Sequence, residues 1–208
     1  MKNSEFGIAI HWNYIGISVV FLSILTVLVL YLPNMRAVDS TILQSIKLAL
    51  SPFPSYIPIF ASEFGRANYM LWPQIAAAST LISHKYFLKT FMLILFTQLS
   101  FFLKDVLKDF ICRPRPEGSG INGFSFPSGH ACTTMCFYGI IIYLVHYYVK
   151  SDFWRNFLCI FFGVWIFLCG IARIWLGAHF LSDVIAGWLL GFILVNLYII
   201  IDRSIARG

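Results

Sequence analysis

The chain has 208 residues, of which 59% are hydrophobic and only 12% charged, too little polar surface to cover a water-soluble globule. That composition excludes the soluble class and points to an integral membrane protein. The formal net charge of +6 is spread between apolar stretches rather than gathered on one polar face, which argues for membrane topology and anionic phosphate and against nucleic-acid binding.

A spanning helix needs about 20 mostly apolar residues, and the first candidate is 14–32. Lys2 precedes it, as in a signal peptide. The stretch is long for an h-region, however, and "LPNMRAVDS" offers no clean small-x-small cleavage site, so it is read as a retained first helix. Next, "STILQSIKLAL" sets Ile42, Leu43, Ile46 and Leu50 at helical spacing and is expected to lie in the interface plane. "SPFPSYIP" holds three prolines and is expected to be irregular, either an extracytoplasmic connector or a lid beside a lipid-entry gap. Further spans follow at 69–83, 86–102, 131–149, 157–172 and 181–201.

These segments use nearly the whole chain and leave no room for a second folded domain. The predicted fold class is all-α, an integral membrane six-transmembrane-helix bundle forming a single membrane domain over 1–208. Cys112, Cys132, Cys136, Cys159 and Cys169 form no C-x-x-C pair and are expected to be small packing residues rather than ligands or disulfides. With the termini inside, the cytoplasmic side holds Lys2, Lys85, Lys89, Lys150, Arg155, Arg203 and Arg207. The other side holds Arg36, Lys47 and Arg66, with a separate cluster of Lys104, Lys108, Arg113, Arg115 and Arg173 that suggests work rather than topology. With that cluster set aside, the bias favours cytoplasmic termini.

Three polar islands fall on the same membrane face: "KDFICRPRP", "FPSGH" and "ARIWLGAHFLSD". Ionisable groups at membrane depth cost about 2.5 to 3.5 kcal/mol each, so Lys108, Arg115, His130, Arg173, His179 and Asp183 need a reason to be there. In "FPSGH", Ser128 stands as a candidate N-cap, and Gly129 lets a ligand approach the exposed N–H groups of a helix start. Such a start binds anions and would hold His130 at the anion's edge. His179 and Asp183, at i and i+4, are expected on one face of the last helix, where the carboxylate fixes the imidazole tautomer. Gly177 permits the turn between Arg173 and His179. Lys108, Arg115 and Arg173 supply three cations suited to a phosphoryl group.

Together the islands resemble the three signature motifs of the type 2 phosphatidic acid phosphatase family, the membrane lipid phosphate phosphatases that share their site with vanadium haloperoxidases. Lys108 with Arg115-Pro116 fits the first motif, Pro127-Ser128-Gly129-His130 the second, and Arg173, His179 and Asp183 the third. Ala172 stands where the family has serine. The resemblance implies that His179 attacks phosphorus to form a phosphohistidine and Asp183 orients it. It also implies that His130 protonates the leaving alkoxide and later activates water. Lys108, Arg115, Arg173, Ser128 and the Gly129 N–H would hold the phosphoryl oxygens, with no metal and no cofactor.

The implied substrate is a lipid phosphate in the bilayer: undecaprenyl diphosphate, phosphatidylglycerol phosphate, phosphatidic acid or a lipid A phosphate. The compact chain resembles small bacterial members, which implies a bacterial inner membrane with the site facing outward. A phosphotransferase handing phosphate to a lipid hydroxyl is a rival with the same site. An anion transporter is a rival of another class, but its charges would be expected near the bilayer midplane rather than at one interface. No feature specifies an oligomeric state.

Overall fold

The computed structural model describes residues 2–32, 34–63 and 65–206, with side chains described from residue 10 onward except at Ala67. The Lys2 side chain and Arg207, both used in the orientation argument, lie outside the described residues. Among the described residues the fold is built of eight helices: α1 (Lys2–Tyr31), α2 (Met35–Leu50), α3 (Tyr56–Glu63), α4 (Ala67–Ser83), α5 (Phe87–Ile111), α6 (Gly129–Tyr148), α7 (Asp152–Trp175) and α8 (Leu181–Ile205).

Among the described residues, five helices are long and apolar enough to cross a bilayer: α1 from Ile10, α5, α6, α7 and α8. The expected span at 69–83 is α4, whose 17 residues fall short of that length and include Pro73. The prolines of "SPFPSYIP" break the chain for less distance than expected. Pro58 sits inside α3, in its first turn, where the backbone N–H it lacks has no intrahelical partner in any case.

α8 is the central helix, with Leu194 and Tyr198 almost wholly buried and packed with Phe96 of α5 and Phe137 and Ile140 of α6. Its close approach to α6 depends on small residues. A Cβ at Gly187 would fall 2.5 Å from the Ser128 carbonyl oxygen, and one at Gly191 would fall 2.5 Å from that of Cys132. Such backbone proximity is how helices associate where no water drives them together. It seats the start of α6 beside the start of α8. The outer helices instead present apolar side chains outward, among them Phe21 of α1 and Phe153 and Phe167 of α7, as lipid contact requires.

Helix direction puts the polar islands at one end. Leu22, Leu25 and Val29 late in α1 pack on Ile111 at the end of α5, Phe126 before α6 and Ala186 early in α8. At the other end Lys89 of α5 pairs with Asp202 of α8, which also accepts the Tyr143 hydroxyl of α6 at 2.8 Å. The five cysteines are free. Cys132, Cys136 and Cys169 are buried as expected, but Cys112 is exposed and closes α5 with a left-handed φ of 51°.

Candidate active site

α5 runs further than its apolar stretch, so Lys108 stands in its last helical turn, half-buried, facing Arg115 and Asp183. The Pro-rich segment then leads Arg115 back over the bundle. Its guanidinium donates to the Ala178 carbonyl at 2.9 Å and reaches His179 Nε2 at 3.1 Å. A guanidinium has donors and no acceptor. Nε2 must therefore carry the lone pair, and the imidazole proton sits on Nδ1.

The turn holding His179 is closed by backbone bonds, the Ala178 and His179 N–H groups both donating to the Arg173 carbonyl at 2.9 and 3.2 Å. Gly177 takes the positive φ of 68° that this turn needs. His179 therefore precedes α8 rather than lying on it, which corrects the expectation of a shared helix face. Asp183, in the first turn of α8, accepts the Phe180 N–H at 2.9 Å and caps the helix. Its Oδ2 lies 3.6 Å from His179 Nδ1, beyond a direct hydrogen bond. Ser125 fills the gap: its hydroxyl donates to Asp183 Oδ2 and stands 3.4 Å from His179 Nδ1.

His179 is 2% exposed. Burial pushes its pKa down to about 4, opposed by the Asp183 carboxylate and aided by Arg173 and Arg115. At neutral pH it is thus a neutral imidazole with an available Nε2 lone pair.

Ser128 occupies the N-cap position of α6, but its hydroxyl makes no capping bond, contrary to expectation. The Oγ is buried and without a partner, as are His130 Nε2 and Arg173 Nε. Three polar atoms from two islands without a protein partner are costly in a folded interior unless water or a ligand completes them. Arg173 is held on its other side by Ser62 of α3 at 2.5 Å. His130 is the second residue of α6 and faces the charges of Arg173, Arg66 and Lys108 and the imidazole of His179. The space that a Gly129 side chain would need is taken by Lys104, whose Cδ lies 2.5 Å from an ideal Cβ position. Gly129 thus makes room for a lysine stem, where an open approach for ligand was expected.

The three islands, separated in sequence, therefore form one cradle of cations and histidines. A family model described as the PAP2 superfamily matches residues 89–204, more than half of the chain and all three islands. The chain belongs to this superfamily. It is 28% identical over 176 residues to phosphatidylglycerophosphatase B of Bacillus subtilis, covering 83% of this chain and 87% of that one. A 69-residue stretch, 33% of this chain and 27% of the relative, is 35% identical to a lipid A 4'-phosphatase of Bacteroides thetaiotaomicron. Its fold superposes on the crystal structure of a transmembrane PAP2 type phosphatidylglycerolphosphate phosphatase from Bacillus subtilis. That match has a TM-score of 0.85 and 25% identity and covers 93% of this chain and 98% of the other.

Within this candidate site, several residues carry no signal in the sequence. Ser125 lies one residue before "FPSGH" and reads as a loop serine. Ser62 and Gly65 sit near the proline-rich connector, where no periodic signal marks them. A Cβ at Gly65 would fall 2.5 Å from His130 Cδ2, so its bareness admits the imidazole. Asp39 was hidden in an amphipathic helix, although it is 1% exposed. Arg113 was grouped with the cluster of cations, and its neighbour Pro114 in "RPRP" was the only local hint.

Proposed function

We propose that the protein is a membrane lipid phosphate phosphatase that removes a terminal phosphate through a phosphohistidine on His179. The observation that carries this reading is the Arg115 contact, which leaves the lone pair of a buried, neutral imidazole at Nε2 in a pocket of otherwise unsatisfied phosphate donors. An entering phosphoryl group would exchange His179 for its own oxygens on Arg115. Lys108, Arg173, the Ser128 hydroxyl and the Gly129 N–H at the start of α6 would hold the remaining charge.

In the first step Nε2 bonds to phosphorus as the bond to the lipid oxygen breaks, and His130 gives its proton to that oxygen. Asp183 and Ser125 hold the Nδ1 proton and offset the positive charge of the phosphoimidazole. In the second step His130 takes a proton from water, whose oxygen attacks phosphorus and frees orthophosphate and His179. The three cations do the charge stabilisation that a metal performs elsewhere.

Phosphatidylglycerol phosphate is the proposed substrate, supported by the activities for which the relative and the solved structure that match most of the chain are named. Residues 1–208 are read as one membrane domain in a bacterial inner membrane, with cytoplasmic termini and an outward-facing site. Six crossings are proposed because the chain must pass from Gly65, beside His130, to Tyr86, beside Tyr148 at the far end of α6, and α4 is what connects them.

The test is phosphate release by the purified protein from phosphatidylglycerol phosphate, phosphatidic acid, undecaprenyl diphosphate and lipid A phosphates, with and without an added lipid acceptor. Hydrolysis of the first, resistant to EDTA, inhibited by vanadate and lost in His179→Ala, is the expected result. Restoration by magnesium after chelation, or near-normal turnover in a folded His179→Ala protein, would overturn the mechanism. Single cysteines at Ser119 and Ser151, on a background lacking the native ones, should label from opposite sides, Ser119 by an impermeant reagent in intact cells. Labelling of Ser151 alone would invert the orientation.

A further inference from the structure

Arg113 occupies none of the signature positions, yet it is the most connected side chain behind His179. Its Nη1 donates to Asp183 Oδ1 at 2.5 Å and to Ser182 Oγ at 2.7 Å, and its Nη2 donates to Asp39 Oδ2 at 2.6 Å. The guanidinium carbon stands 4.6 Å from the centroid of the Phe180 ring, the residue after His179. Its backbone carbonyl accepts the Ser125 N–H at 2.8 Å. One residue thus fixes both groups that approach His179 Nδ1, the Asp183 carboxylate through its side chain and Ser125 through its main chain.

The pairing of charges is unequal. Asp39, Arg113 and Asp183 have side chains 2%, 7% and 0% exposed, so two buried carboxylates share one buried cation. Ser182 reinforces the arrangement, its hydroxyl donating to Asp39 Oδ2 at 2.5 Å and its N–H to Asp39 Oδ1 at 3.3 Å. Buried ion groups of this kind are expensive to assemble and are strongly disturbed when one member is removed. Here the surplus is one negative charge directly behind the imidazole. A guanidinium paired with Asp183 alone would cancel the carboxylate that a phosphoimidazole needs. Asp39 draws half of that guanidinium away. Asp39 belongs to α2, outside the residues matched to the superfamily, so through its bonds to Arg113 and Ser182 that helix reaches the groups behind His179.

We propose that Arg113, shared between Asp183 and Asp39, is a positioning residue for His179, and that Asp39 ties the seating of α2 to the nucleophile. The proposal rests on the phosphohistidine reading given above.

The experiment compares wild type with Arg113→Gln, Asp39→Asn and Ser182→Ala in detergent micelles containing phosphatidylglycerol phosphate. It measures kcat, KM and the acid limb of kcat/KM, with monodisperse gel filtration as the fold control. The charged groups facing His179, namely Asp183, Arg115, Arg173 and His130, are the same in all four proteins. Arg113→Gln should lose about 10- to 100-fold in kcat, the range typical of partners that orient a functional side chain. Its acid limb should move to higher pH, because two carboxylates are left without their cation. Asp39→Asn should also lose kcat, but its limb should move to lower pH, because Arg113 then neutralises Asp183 alone. Ser182→Ala should follow Asp39→Asn with a smaller loss. KM should change little, since none of the three touches the phosphate. Wild-type kcat and an unmoved limb in the folded variants would overturn the proposal. Should Arg113→Gln not fold, Asp39→Asn and Ser182→Ala decide it by the same two readouts. A wild-type protein that hydrolyses the lipid without forming a phosphoenzyme would instead overturn the reading beneath it.

Discussion

Replacing Gly65 by alanine tests whether the His130 ring is held where the leaving group needs its proton. The added Cβ would lie 2.5 Å from His130 Cδ2 and 2.9 Å from its Cβ and Cγ, while ordinary contact begins at 3.4 Å. About 0.9 Å of relief must be found at the tightest point. The backbone of α6 cannot easily supply it, because the Ser128 and Cys132 carbonyls are already seated against Gly187 and Gly191. Rotation of the imidazole relieves the Cδ2 contact, while the contact with His130 Cβ, which moves only with the backbone, is relieved by a shift of the turn carrying Gly65. The rotation carries Nε2 by about 1 Å, a displacement able to cost about 10²-fold in rate. Turnover of an alkyl phosphomonoester should fall by about that factor. The first-turnover rate on p-nitrophenyl phosphate, whose leaving group needs less protonation, should fall clearly less. Overpacking of this size costs about 1–3 kcal/mol, so the protein should still purify folded. The assay is quenched-flow phosphate release on the alkyl ester beside the nitrophenol burst. A folded Gly65→Ala protein with wild-type first-turnover rates on the alkyl ester would refute the reasoning.

His130→Ala should remove the proton donor altogether, with a first-turnover loss of roughly 10² to 10⁴ on the alkyl ester and a visible nitrophenol burst followed by a slow steady rate. Equal losses on both substrates without a burst would reduce His130 to a binding role. Ser128→Ala should lower kcat/KM by about 10², as removal of one oxyanion donor does, while leaving the thermal midpoint unchanged, because the hydroxyl has no partner in the folded protein. A lowered midpoint with retained activity would make Ser128 structural. Because the His179 pKa is pushed down to about 4, the imidazole keeps its lone pair through the weakly acidic range. The acid limb of kcat/KM attributable to the nucleophile should therefore stay flat as pH falls from 7 to 5 and halve near 4. A limb near 6.5 that disappears in His179 variants with residual activity would show an ordinary, solvated imidazole.

The membrane-helical class and most residues of the candidate site were legible in the sequence alone. Apolar segments of bilayer length can do little but form helices in lipid, since each must satisfy its own backbone, so the all-α reading needed no tertiary information. The cations and histidines were legible for the complementary reason that ionisable residues at membrane depth are too costly to be incidental. The spacing in "FPSGH" and "ARIWLGAHFLSD" was short enough for local geometry to bring out their partners. Tertiary structure decided what depends on contact between distant segments. Ser125 and His179 are 54 residues apart, and Arg113 and Asp39 are 74 apart, so no local pattern could couple them. Ser128 has the sequence of a cap, yet only the fold leaves its hydroxyl unbonded. The bareness of Gly65 and Gly129 acquires meaning only from the His130 ring and the Lys104 stem that occupy the space beside them. Periodicity reports which face of a helix meets lipid. It carries no record of which side chain from another helix fills a given gap, because that depends on how α6 and α8 approach and on the path taken by the connecting loops.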